Sequence, residues 1–154
     1  MPDLTGVRDA ARALLARRLP GVRVEAFAGH LDMRSASSRH IRPERSGALF
    51  VAAGEAENAA APHSLDFDMA ALFWAFAVAR HAAGDDAAEG RALLLAQEAA
   101  LALHGQTFGL AGVSPARVLS LSPADGDDLA RAGIRVWAVT WEQRVLFGDA
   151  GGAA

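Results

Sequence analysis

The chain has 154 residues, 52% of them hydrophobic and 21% charged, which is enough for one domain with a real hydrophobic core. A formal charge of −3 excludes a globally basic nucleic-acid binder, and the absence of cysteine removes disulfides, thiolate metal sites and cysteine nucleophiles. All 15 basic residues are arginine and there is no tyrosine, which excludes Walker-type phosphate loops, lysine Schiff bases and phenolic catalysis.

Asp3 to Leu19 reads as an amphipathic helix, with Leu4, Val7, Ala11, Leu14 and Leu15 on one face, Asp3 or Thr5 at its start and Pro20-Gly21 as its stop. Val22 to Phe27 alternates at period 2 and is expected to be a strand, with Val22, Val24 and Ala26 sharing a side. Gly29 to Ser46 is thin in apolar residues and carries four arginines, two histidines and a proline; it reads as a long loop. Gly47 to Gly54 follows as a short buried strand, and Glu55 to His63 as a connection. Ser64 to Arg80 alternates at its start and is apolar on both faces in its middle; it is assigned as a long central strand rather than a helix.

Ala87 to His104 is a leucine- and alanine-rich helix ended by Gly105. Its polar residues are so few that it must be covered on more than one side, by a sheet and by a neighbouring subunit. Gly105 to Pro115 reads as a glycine-punctuated turn, Ala116 to Pro123 as a strand and Ala124 to Gly133 as a polar, hairpin-like loop. Ile134 to Phe147 is a long strand in which Trp137, Val139, Trp141, Val145 and Phe147 share a face, with Gln143 set among them. These elements predict an α+β domain over residues 1–148, with a mainly antiparallel or mixed sheet and two main helices packed on one face; residues 149–154 are expected to be a flexible tail. The first residues lack the basic stretch of a signal peptide, and the longest apolar run, Met69 to Ala79, is well short of the ~20 residues of a membrane span, so a soluble, cytoplasmically made protein is expected.

Sites of chemistry are scarce. His30, His40, His63, His81 and His104 show no metal-binding spacing, and no metal or cofactor is expected. Gly112-Val113-Ser114-Pro115-Ala116 comes close to a nucleophile elbow, but the residue after the serine must donate its N–H to an oxyanion and proline has none. Gly105 to Gly112 follows a helix and lacks the dinucleotide spacing. Asp125, Asp127 and Asp128 lack the alternation and the closing glutamate of a calcium loop. Asp66 and Asp68, two apart on a strand, are a carboxylate pair that a small hydrolase could use, although such a pair is more often the polar face of a strand end. Arg34, Arg39, Arg42 and Arg45 cluster in the long loop, where guanidinium groups suit a neighbouring subunit, a protein partner or a nucleic-acid backbone; no aromatics are interleaved for base stacking.

The order of segments is also informative. The stretches Ala11–Phe27, Gly47–Gly54, Phe76–Gly84, Ala92–Leu121 and Gly133–Gly148 resemble the Mu-like prophage family of tail terminator, or tail completion, proteins. The similarity spans roughly Leu4 to Gly148, and its most specific part is the helix-to-glycine-turn run followed by the strand bearing Trp137 and Trp141. The resemblance implies a structural, non-enzymatic virion assembly protein that caps the phage tail tube, stops its polymerisation and forms the head–tail joining surface. It further implies a homohexameric ring that meets the tube protein and the head–tail connector, with DNA passing through the lumen, no membrane association, and a location in the host cytoplasm during assembly and in the virion tail afterwards. No active site comes with it. Arg34, Arg39, Arg42 and Arg45 are the candidates for lumen or subunit contacts on chemical grounds alone. Two other readings stand beside it: a nucleic-acid-binding accessory protein using the arginine loop 29–46, and a small hydrolase using Asp66 and Asp68.

Overall fold

The computed structural model describes residues 3–27, 47–61, 66–80, 85–131 and 133–149. In chain order these give α1 (Leu4–Arg18), β1 (Arg23–Phe27), β2 (Ala48–Asn58), β3 (Asp66–Arg80), α2 (Asp85–Leu103), β4 (Arg117–Pro123), α3 (Asp127–Arg131) and β5 (Ile134–Asp149). Among the described residues five strands form one sheet in the order β1-β2-β3-β5-β4. β1 runs parallel to β2, and every other pairing is antiparallel, so the sheet is mixed and the fold is α+β.

Local chemistry sets the helix ends. Asp3 is extended at the start of α1 and its carboxylate accepts from Gly6 N at 2.6 Å, satisfying one of the first-turn N–H groups. Arg17 and Arg18 lie in the last turn, where the helix dipole favours positive charge. α1 and α2 lie side by side on the same face of the sheet, α1 over β1 and β2, α2 chiefly over β3 and β5. Alternation then sorts the strands. Leu49 and Val51, Phe73 and Ala75, and Val139, Trp141 and Val145 point at the helices and join Val7, Leu15, Leu95, Ala99 and Leu103 in the main core. The indole of Trp141 stacks on Phe73, with ring centroids 5.4 Å apart. On the other face, Phe50, Val78, Val136 and Ile134 make a second, smaller cluster with Leu129.

Three expectations are corrected. β2 does not stop at Gly54 but runs on to Asn58, because a bulge between Ala53 and Ala56 absorbs the extra backbone and lets Glu57 and Asn58 pair with Ala70 and Met69. The stretch Ala124 to Gly133 is not simply a polar loop: Asp127–Arg131 turns as a short helix so that Leu129, 2% exposed, covers the second face of the sheet. The first strand starts one residue later than expected, and Ala26 is exposed where Val24 is buried. The long central strand Asp66–Arg80 and the two main helices on one face are as expected. The expected loop 29–46 lies outside the described residues, as does the expected tail 149–154 except for Asp149, which is the last residue of β5 and pairs with Asp66. Among the described residues no helix is long and apolar enough to cross a membrane.

Gly54 shows how the bulge is built. A Cβ there would overlap Cζ3 and Cη2 of the Trp74 indole and lie 3.0 Å from Leu72 O, so the ring occupies the space a side chain would need. Gly54→Val is expected to destabilise the fold by about 1–3 kcal/mol, the usual cost of forcing extra carbon into an occupied site. Chemical denaturation followed by tryptophan fluorescence checks this, and an unchanged midpoint would show that Trp74 swings aside freely.

Candidate functional site

The arginine cluster Arg34, Arg39, Arg42 and Arg45, and the histidines His30, His40, His63 and His81, lie outside the described residues. His104 is described: its Nδ1 accepts from Val118 N at 3.2 Å, tying the end of α2 to β4. Among the described residues no group of three or more His, Asp or Glu side chains is placed to hold a metal ion.

The best-built polar feature was visible in the sequence only as an oddity, a glutamine in an apolar strand face. Gln143 is 1% exposed and is the one fully buried polar side chain among the described residues. It uses every group it has. Its Oε1 accepts from Trp141 Nε1 at 2.9 Å, and its Nε2 donates to Gln106 O at 3.0 Å and Ser114 O at 2.9 Å. These bonds clamp the turn between α2 and β4 onto β5. Backbone bonds finish the clamp: Gly105 N to Ala116 O, Ala116 N to Gln106 O, Ser114 N to Arg144 O and Leu146 N to Gly112 O. Gly105, Gly109 and Gly112 take positive φ within this turn, and so does Phe108 at 56°. Ser114 is therefore a turn residue; its Oγ accepts from Arg144 N at 2.8 Å.

Of the two aspartates, the side chain of Asp68 is described. β3 carries Asp68 beside Arg144 of β5, and the guanidinium engages both oxygens: Nε donates to Oδ1 at 3.3 Å, and Nη2 donates to Oδ2. The pair sits in a shallow depression with Gly112, Val113, Ser114 and Leu146. Asp66 pairs through its backbone with Asp149, and the register shifts between Asp66 and Asp68. Asp125 accepts from Arg135 Nη1 at 2.7 Å, which pins the start of the α3 segment to β5.

The outer surface of the helix layer is the other notable region. A groove of about 580 Å3 between α1 and the clamped turn is lined by Arg12, Ala13, Leu14 and Arg17 of the helix and by Gln106 and Phe108 of the turn. On α2, Leu101 is 82% exposed and Leu94 44% exposed. The sheet covers one side of α2 and α1 packs along another, while Leu94 and Leu101 remain in solvent.

No family model matches the chain, and no curated protein matches it. Among solved structures, a chain described as "Virion of native gene transfer agent (GTA) particle" aligns over 88% of this chain and 93% of its own, at 16% sequence identity and a TM-score of 0.47. A TM-score below one half at that identity assigns neither fold family nor function to this chain.

Proposed function

We propose that this chain is a phage tail terminator: a structural subunit that assembles as a ring, caps the tail tube, ends its polymerisation and presents the surface that joins the head. The observation that carries this reading is the unit formed by α2, the glycine turn and the tryptophan strand. Ala92–Leu121 and Gly133–Gly148 are the segments with the most specific similarity to tail terminator proteins, and the fold joins them through Gln143, which binds Trp141, Gln106 and Ser114 together. The similarity therefore falls on residues that share one structural task rather than on scattered positions.

The surface supports an assembling role. Leu94 and Leu101 present apolar area to solvent on one stripe of α2, which suits a contact surface. Host cytoplasm during assembly and the virion tail afterwards follow as the locations, and the tube protein and head–tail connector as the partners. The test is direct. Purified tail-tube protein is allowed to polymerise with and without the chain, and tube lengths and ends are measured by electron microscopy. Shorter tubes with extra density at one end are expected. Tubes of unchanged length with bare ends would overturn the reading.

A further inference from the structure

The groove between α1 and the clamped turn joins an apolar lining to unmatched charge. Ala13 and Leu14 of the helix and Phe108 of the turn supply the apolar part, and Arg12 and Arg17 line the same groove. No carboxylate is among its described lining residues. Arg12 and Arg17 are exposed and form no ion pair among the described residues, in a chain whose formal charge is −3. Their positions on α1 are about 7.5 Å apart along the helix axis, so one binding partner can reach both. Phe108 adds an independent sign. It takes φ 56°, whereas the other positive-φ positions of this turn, Gly105, Gly109 and Gly112, are glycine, which adopts that region without strain. The turn thus keeps a side chain at a strained position, and its half-buried ring packs on the core and borders the groove.

We propose that this groove receives an acidic amphipathic helix of a partner protein, with apolar side chains against Leu14 and Phe108 and carboxylates on Arg12 and Arg17. Charge selects the occupant: two unmatched guanidiniums with no carboxylate beside them call for an anionic partner. The apolar lining then selects among anions. A phosphate backbone would satisfy the arginines but leave that lining in water. A small carboxylate ligand would keep much of its surface in solvent, because the wall residues Arg12, Ala13 and Arg17 are themselves exposed. A helix with an apolar face flanked by acids covers the lining and meets both charges. The inference rests on this groove alone and does not require that the chain cap a tail tube.

Fluorescence anisotropy tests it with a labelled helical probe of about 15 residues, alanine-based, carrying leucine at i and i+4 and a glutamate beside each. The unaltered chain is expected to bind this probe. Exchanging the probe's leucines for serine is expected to weaken binding at least about tenfold, as loss of an apolar anchor does. Exchanging its glutamates for lysine is expected to abolish binding. Arg12→Glu with Arg17→Glu is expected to reverse the preference, taking the lysine probe and refusing the glutamate one. Both arginines are exposed, so the melting temperature of that variant is expected to be unchanged. Failure of the glutamate probe to bind the unaltered chain overturns the proposal, as does undiminished binding of the serine probe or a preference that does not reverse. Displacement of the probe by single-stranded DNA of equal charge also overturns it and marks a site for phosphates instead. A chain that caps tubes but ignores the probe leaves the tail-terminator reading standing and removes this one.

Discussion

Replacing Gln143 by leucine is expected to lower the melting temperature by roughly 6–12 °C, from a loss of about 3 kcal/mol in a chain of this size. The substitution is close in volume, so packing against Trp141 survives and the effect isolates hydrogen bonding. Three hydrogen bonds are lost at once: the Trp141 indole N–H and the Ser114 carbonyl lose their partner, and the Gln106 carbonyl keeps only its bond from Ala116 N. A buried polar group left without a partner costs about 1–3 kcal/mol; the lower end applies here because the two bonds to carbonyl oxygens are only part-buried and water can reach them. A second readout separates this from a general weakening of the core. Amide exchange should quicken in residues 105–116 more than in β2, because the clamp is what holds that turn on β5. Uniform quickening across the sheet, or an unchanged melting temperature, would show that the backbone bonds hold the turn by themselves.

Gln143 also shows where sequence reading reaches and where it stops. Period-2 alternation placed it on the apolar face of a long strand, and a polar residue there asks for partners. One partner, the Trp141 indole, lies two residues away on the same face; the other two are carbonyl groups 37 and 29 positions away, which carry no side-chain signature. The same division runs through the fold. α1, β3, α2 and β5 were legible because each is long enough for its period to outweigh local noise, even though β3 is apolar on both faces and could have passed for a helix. The extension of β2 was not, since Gly54 and Glu55 look like the end of a strand until the bulge beneath Trp74 is seen. α3 has no period to read, being five residues with two acids ahead of one leucine; only the burial of Leu129 explains why the segment turns. Composition required α2 to have more than one covered side, but its outward residues depend on the rotation of the helix against Phe73 and Trp141, which no local pattern fixes. The arginine loop is chemically conspicuous in the sequence, yet Arg34, Arg39, Arg42 and Arg45 lie outside the described residues, so their roles rest on chemistry alone.

Gly47→Ala is expected to cost about 2–4 kcal/mol, from two independent causes acting at one atom. Gly47 sits at φ 82°, the left-handed region, where an L side chain crowds its own carbonyl and costs about 1–2 kcal/mol. The new Cβ would also overlap Cδ1 of Leu95 and lie 3.1 Å from Val78 O. Leu95 is 1% exposed in the main core, so it has no empty space to retreat into, and Val78 O belongs to the central strand. The two causes can be told apart by a double-mutant cycle with Leu95→Ala. Removing the leucine tip costs stability by itself, about 2–5 kcal/mol, but it also vacates the space the new Cβ needs. The double variant should therefore be more stable than the sum of the single losses predicts, by the part of the Gly47 effect that is steric overlap. What remains after that correction is the backbone cost, which Leu95 cannot relieve. Strict additivity in urea denaturation would mean that Leu95 yields without cost and that φ alone makes glycine necessary at the point where the chain enters β2 beneath α2.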